Sequence, residues 1–191
     1  MQEASIQVQN IVSSLNLETK LDLGRLVSEL PNSEYNPDRF PALIARFREP
    51  KISFLIFGNG KIICTGANHI TKVRGGVSKL VGQLRGLGIE IEKDPRITIT
   101  NVVATADLGL ELNLDEIALN LENVEYEPEV FPGLVYRPYE SRASVLIFRN
   151  GKLVLAGLRD VLEARQVVEE LVERLREAGL VPSCRRPQSI T

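Results

Sequence analysis

FLIFGNGK, residues 54–61, returns ninety-one residues later as VLIFRNGK, residues 145–152. The same offset of 91 joins Asn10 to Asn101, Tyr35 to Tyr126, Phe40 to Phe131, Arg46 to Arg137, Phe57 to Phe148, Gly66 to Gly157 and Gly88 to Gly179, with no insertion or deletion between the first pair and the last. Solenoid repeats run to about 20 to 50 residues, so a period this long marks half-domains. The expected body is pseudo-symmetric, with a first repeat over 6–91, a second over 97–180 and a Pro-rich polar tail over 181–191 expected to be disordered.

Asn59-Gly60 and Asn150-Gly151 are hairpin signals, because a two-residue turn needs positive φ at its centre. They predict that KISFLIF, 51–57, pairs antiparallel with KIICTG, 61–66, and that RASVLIF, 142–148, pairs with KLVLAG, 152–157. Successive strand side chains alternate in direction, so Ile52, Phe54 and Ile56 share one face and Ser53, Leu55 and Phe57 the other. Both faces are largely apolar. An antiparallel sheet usually keeps one face wet and polar.

The flanking segments follow the same register. IQVQNIVSSL, 6–15, and ITITNVVATA, 97–106, read as strands that place Asn10, Val12 and Ser14 on one face and Asn101, Val103 and Thr105 on its counterpart. LDLGRLVSEL, 21–30, and LNLDEIALNL, 112–121, carry apolar residues at i, i+3, i+4 and i+7, which predicts a helix in each. SEYNPDRFPALIARF and VEYEPEVFPGLVYRP then turn an X-Pro corner with Phe40 or Phe131 at its tip. A second helix closes each repeat, about 70–87 and 159–178, and the first of these is weakened by Gly75, Gly76, Gly82 and Gly86. Two helices cover one face of a five-stranded half-sheet. The other apolar face needs an occupant, either a second sheet, as in a homodimer, or a ligand with a long apolar surface.

Composition narrows the classes. Apolar content of 43% and charge content of 25% are those of a globular protein, and no apolar run reaches the length of a membrane span. The start, MQEASIQVQN, has no basic region before an apolar core, so the expected location is cytoplasmic. Cys64 and Cys184 lie in unlike settings and His69 is the only histidine, which leaves neither a disulfide framework nor a set of zinc ligands. No metal or cofactor is expected. Residues 1–91 carry 11 Lys and Arg against 8 Asp and Glu, while 92–191 carry 12 against 17, so a net charge of −2 hides a basic and an acidic half. Nucleic-acid binding by such a chain cannot rest on many basic contacts. It would need a local, largely apolar face.

The doubled pattern QNIV, EYNPDRFP, FLIFGNGK, CTGA and TNVV, EYEPEVFPGLVYR, VLIFRNGK resembles the archaeal TATA-box-binding protein family over roughly residues 6–180. That resemblance implies an α+β fold: a pseudo-twofold saddle of two tandem repeats, one curved ten-stranded antiparallel sheet with its concave face on double-stranded DNA and four helices on the convex face. It implies a general transcription factor, not an enzyme, located with the nucleoid. Phe40 with Phe57 and Phe131 with Phe148 match the family's intercalating pairs, which unstack base steps and kink the duplex. Asn10 and Asn101 match the asparagines that test the central base pairs for A·T, whose minor-groove edge offers only acceptors. Thr65 matches a partnering threonine, but its repeat mate is Ala156, where the family usually has a hydroxyl, and the resemblance does not supply that hydrogen bond. Val12, Val103, Leu55, Leu146, Ile63 and Val154 match an apolar floor under the base edges. Arg46, Arg137, Lys61 and Lys152 match backbone-contacting positions, with Arg39, Arg48, Arg142 and Arg149 as further candidates. Glu127, Glu129 and Val130 match the corner presented to transcription factor B, through which RNA polymerase is reached indirectly.

Two rival classes remain open on sequence. One is the nucleic-acid-holding module of an enzyme on a similar duplicated sheet, although the nearest carboxylate pair, Asp107 and Glu111, flanks a turn and has no catalytic companion. The other is a homodimerising scaffold that hides its sheet face.

Overall fold

A computed structural model describes residues 5–181. The expected tail, apart from Val181, lies outside the described residues, as does Cys184. The first repeat runs β1 (Ser5–Asn16), α1 (Leu23–Glu29), β2 (Ser33–Glu34), β3 (Ala42–Phe47), β4 (Ile52–Phe57), β5 (Lys61–Ala67) and α2 (Ile70–Gly86). The second runs β6 (Thr98–Asp107), α3 (Leu114–Asn120), β7 (Val124–Glu125), β8 (Leu134–Tyr136), β9 (Ser144–Ile147), β10 (Lys152–Leu158) and α4 (Val161–Glu177). The ten strands follow the order β2-β3-β4-β5-β1-β6-β10-β9-β8-β7.

Two compact units divide the described residues: Gln9–Val102, and residues 5–8 with 103–181. In the first, β3, β4 and β5 pair as an antiparallel meander and β1 joins β5. In the second, β8, β9 and β10 repeat the meander. The hairpins turn where the Asn-Gly pairs predict, with φ +86° at Gly60 and +76° at Gly151. A Cβ at these glycines would also collide with the carbonyl oxygens of Thr19 and Leu110, so no other residue fits.

Each unit has a closed and an open sheet face. On β4, Ile52, Phe54 and Ile56 are buried while Ser53, Leu55 and Phe57 are only half-buried, and β9 with Phe148 repeats the alternation. Helices account for the closed side. Val73, Val77, Leu80 and Leu84 of α2 are buried, and Gly76 sits so close to the Ile52 side chain that a Cβ there would lie 3.0 Å from its Cγ2. Helix α4 buries Ala164, Val167, Val168, Leu171 and Leu175 in the second unit.

The helix starts are capped at equivalent places. Asp22 and Asn113 accept backbone N–H bonds at the heads of α1 and α3, and His69 and Asp160 do so for α2 and α4. His69, the only histidine, is thus an exposed capping residue, its Nδ1 accepting from the Thr71 N–H.

Glu163 adds a buried tie at the head of α4. Its carboxylate accepts from the Arg159 backbone N–H and guanidinium and from the Ser141 hydroxyl at 2.8 Å. Burial pushes this carboxyl up, but the bonds from Arg159 and Ser141 outweigh that and hold it below its ordinary value of 4.5. A lowered folded-state value means that the stabilisation is complete above the unfolded value and is lost as pH falls through the folded one. Glu163→Gln is therefore expected to cost about 2 kcal/mol at neutral pH, typical of bonds to a charged group. The gap between the urea midpoints of parent and variant should close as pH drops below 4.5.

The Gly-rich helix is real, and three of its glycines have no packing reason. A Cβ at Gly75, Gly82 or Gly86 would meet nothing within 4 Å. Gly75→Ala and Gly82→Ala should each stabilise the fold by up to about 1 kcal/mol, read as a rise in the denaturant midpoint at constant slope. Gly76→Ala should not.

Candidate nucleic-acid interface

The open face of the first unit is built from alternate positions of four strands. Asn10, Val12, Ile44, Leu55, Phe57, Ile63 and Thr65 are all half-buried, so their apolar area stays partly in water. In the second unit Val103, Val135, Leu146, Phe148, Val154 and Ala156 stand the same way. Every residue expected to form the apolar floor is on an open face.

Asn10 is held in one orientation. The β1–β5 pairing shifts register between Ile11 and Ser13, so Thr65 and Gly66 together face Val12. Gly66, at φ +98°, donates its N–H to the Asn10 Oδ1 at 2.8 Å. A backbone N–H can only donate, which fixes the oxygen end of the amide. The Asn10 Nδ2 then donates to the Thr65 hydroxyl at 3.2 Å, leaving its second hydrogen for a ligand acceptor on the open face. Asn101 is half-buried on β6. Ala156, opposite Ser144, has no hydroxyl to offer.

At each corner two phenylalanines meet edge to face. The rings of Phe40 and Phe57 lie 6.3 Å apart at 61°, and those of Phe131 and Phe148 lie 6.1 Å apart at 67°. Phe40 is 41% and Phe131 40% exposed, far more than the rings of the closed face. The corner turns are tightened by Phe40 N–H to the Asn36 carbonyl and Phe131 N–H to the Glu127 carbonyl. Beneath the second pair lies Gly133, where a Cβ would fall 2.7 Å from Phe131 Cε1 and 3.0 Å from Phe148 Cε1. Sequence reading passed over that glycine. Its signal was present in the offset, since Ala42 stands in its place in the first repeat.

All eight candidate backbone-contacting cations are exposed. Three already have partners: Arg149 pairs with Asp115, while Arg46 bonds Glu34 at 2.8 Å and Arg137 bonds Glu125 at 3.2 Å, each of these two reaching from the meander to the edge strand. The Arg46 hydrogen bond and charge hold the Glu34 carboxyl below its ordinary value. Arg149 stands 4.0 Å from Asp115. Exposed pairs of this kind are weak and screened by salt, so each guanidinium can exchange its carboxylate for another anion.

The second corner is acidic and apolar where the first is not. Glu127, Glu129 and Val130 are exposed, Val130 at 79%, and they stand where Asn36, Asp38 and Arg39 stand in the first repeat. Cys64 is buried, which pushes its thiol up to about 11. Among the described residues no group of three or more His, Cys, Asp or Glu could hold a metal ion, and no helix is long and apolar enough to cross a membrane.

Comparison with known proteins agrees with this geometry. A family model described as "Transcription factor TFIID (or TATA-binding protein, TBP)" matches the chain twice, over residues 5–87 and 96–178. The chain is 43% identical over 176 residues to the TATA-box-binding protein of Pyrococcus horikoshii, covering 92% of each. It is 44% identical over 183 residues to that of Archaeoglobus fulgidus, covering 95% of this chain and 100% of the relative. A solved structure, Methanococcus jannaschii TBP, superposes with a TM-score of 0.86 at 42% identity, over 91% of this chain and 99% of the other.

Proposed function

The chain belongs to the TATA-binding protein family, a family of transcription factors and not of enzymes, and we propose that it binds the minor groove of A·T-rich promoter elements and bends them. The observation that carries this reading is the pair of exposed phenylalanine corners beside an open apolar face on which Asn10 keeps a free donor hydrogen. The minor-groove edge of A·T presents acceptors alone, while G·C adds a donor that would face that amide hydrogen. Apolar floor residues suit sugars and base edges. The four rings supply wedges, for which unstacking costs a few kcal/mol per step and is offset by the surface that the bent duplex buries. Minor-groove wedging and kinking is general knowledge for this family and is not inferred from this chain. Arg46, Arg137, Lys61, Lys152 and the other exposed cations position the backbone. The acidic corner recruits transcription factor B and, through it, RNA polymerase. When DNA is absent the open face is available for a homodimer contact. No part of this needs a cofactor.

A gel shift with duplexes of equal length tests the proposal, one containing an A·T element on the scale of eight base pairs and one entirely G·C. Binding confined to the first supports it. Equal binding to both, or to neither, overturns it.

Ala156 gives a finer expectation. It is the repeat mate of Thr65, whose hydroxyl takes a hydrogen from Asn10. Selectivity should be higher on the side read by Asn10 and Thr65, and Ala156→Thr should sharpen the other side by about 1 kcal/mol, one hydrogen bond. Single base-pair substitutions walked across the element measure this. An equal response on both sides removes the role assigned to Ala156.

A further inference from the structure

Each edge of the sheet carries a charge pair that recurs at the offset of 91. Strands β2 and β7 stand at the ends of the strand order, and on them Glu34 lies across from Ile44 and Glu125 across from Val135. Ile44 and Val135 belong to the open faces, so Arg46 and Arg137, two residues on, emerge on the same side as those carboxylates. Asn32 and Asn123, at φ +55° and +56°, precede the two edge strands and accept the arginine backbone N–H at 3.0 Å. That tie seats each arginine beside the carboxylate two residues further along. Guanidinium Nη2 donates to Oε1 of Glu34 at 2.8 Å, and to the two oxygens of Glu125 at 3.3 and 3.2 Å. Both arginine side chains remain 54% exposed. The pair of Arg149 with Asp115 has no such counterpart, since Gly58 and Gly24 are their mates.

We propose that Glu34 and Glu125 are built-in competitors of DNA phosphate, holding the two edge guanidinium groups so that a duplex must displace a carboxylate to reach them. The inference rests on the open face being a DNA surface, as proposed above, but not on A·T preference or on bending. A carboxylate and a phosphate present the same pair of acceptor oxygens to the guanidinium fork, so a given edge of the fork takes one or the other. Contacts to phosphate position a duplex without reading its sequence. Weakening them lowers adherence to every duplex, and one that gives nothing to the apolar floor or to Asn10 then loses most of what holds it. The rival role is a clasp that fastens a two-residue edge strand to its neighbour. A clasp predicts lost stability on neutralisation and no gain in binding.

The test compares the full chain with Glu34→Gln, Glu125→Gln on two duplexes of equal length, one with an A·T element and one entirely G·C. Glutamine keeps an oxygen that can accept from the arginine and removes only the charge. The control, Glu29→Gln with Glu173→Gln, removes the same charge from two exposed helix pairs, Arg25–Glu29 and Arg176–Glu173. At about 0.1 M salt the double variant should bind both duplexes roughly tenfold more tightly, since two weak exposed pairs no longer compete. Its plot of log affinity against log salt should steepen by up to about 2, from about 0.9 per phosphate contact. The control should stay within about twofold of the parent, because its charges are screened from the open face. In an Arg46→Gln background, Glu34→Gln should lose most of its effect. Unchanged or weaker DNA binding by the double variant overturns the proposal, as does an equal gain in the control. A lower thermal midpoint without a gain in affinity does so in favour of the clasp. A parent that binds A·T and G·C alike overturns the A·T reading of the open face, and the ratio of variant to parent still decides this one. Binding to neither duplex by any of these forms overturns both.

Discussion

Replacing Phe131 and Phe148 together with alanine is expected to abolish the bend in an A·T-rich duplex while leaving the chain folded. The two rings touch each other at 6.1 Å, and Phe131 is 40% exposed, so neither belongs to the core formed by Val145, Ile147, Leu153 and Leu155. Removing a fully buried Phe costs about 3 to 5 kcal/mol, and these half-exposed rings should cost well under that. Their removal takes away the wedge that the proposed function assigns to them. Circular dichroism follows the fold, and a donor–acceptor pair at the two ends of the duplex follows the bend. A folded double variant that bends DNA normally sinks the intercalation proposal. Gly133→Ala is the graded version: its Cβ, 2.7 Å from Phe131 Cε1, must push the rings aside and should reduce the bend without eliminating it.

Most of the fold could be read from the chain because the repeat doubles every signal. The Asn-Gly turns fixed two hairpins, and the alternation in KISFLIF matched the buried and open faces of β4 residue by residue. Where a local residue breaks the repeat, the reading drifted. RASVLIF was expected to form a strand over 142–148, but β9 is Ser144–Ile147. Pro138 occupies the place of Phe47 and has no N–H for the ladder, so β8 ends at Tyr136 and β9 loses the partner that Ile52 has on β3. Helices α1, α3 and α4 likewise begin and end inside their expected spans, since capping by Asp22, Asn113 and Asp160 rather than apolar spacing sets their first turns, while α2 starts at its expected residue, Ile70.

The site was legible to the same depth. Candidate residues that repeat at the offset of 91 stand at equivalent places in the two repeats; contacts that do not repeat were not foreseen. Ser141, Arg159 and Glu163 have Pro50, Asn68 and Lys72 as their mates, so nothing in the period flags the buried carboxylate that ties α4 down. The Arg46–Glu34 and Arg137–Glu125 pairs do repeat, yet an exposed carboxylate twelve residues from an arginine carries no pattern that distinguishes it from any other surface charge. The bond from Gly66 to Asn10 depends on a register shift, which alternation alone does not locate.

Reversing the charge of the second corner should erase the polarity with which the chain sits on a promoter. Both repeats carry a corner phenylalanine pair, an asparagine and half-buried apolar strand residues, so on the proposed reading turning the protein end for end on an A·T-rich element should change its energy little. The corners do differ. Asn36, Asp38 and Arg39 are exposed in one, and Glu127, Glu129 and Val130 in the other. A basic partner such as transcription factor B meets opposite charge and an apolar contact at the second corner, but an arginine at the first, and like-charge contacts at an interface cost several kcal/mol. Orientation is measured by directed cleavage from a probe on an engineered cysteine at Asp38, because Cys64 is buried and its thiol is pushed up to about 11. Cleavage is expected at both ends of the element without the partner and at one end with it. Glu127→Arg with Glu129→Arg should return cleavage to both ends in the presence of the partner, with DNA affinity nearly unchanged because both residues lie outside the open face. One-ended cleavage by the unmodified chain alone would show that the DNA sets the polarity and that the acidic corner does not.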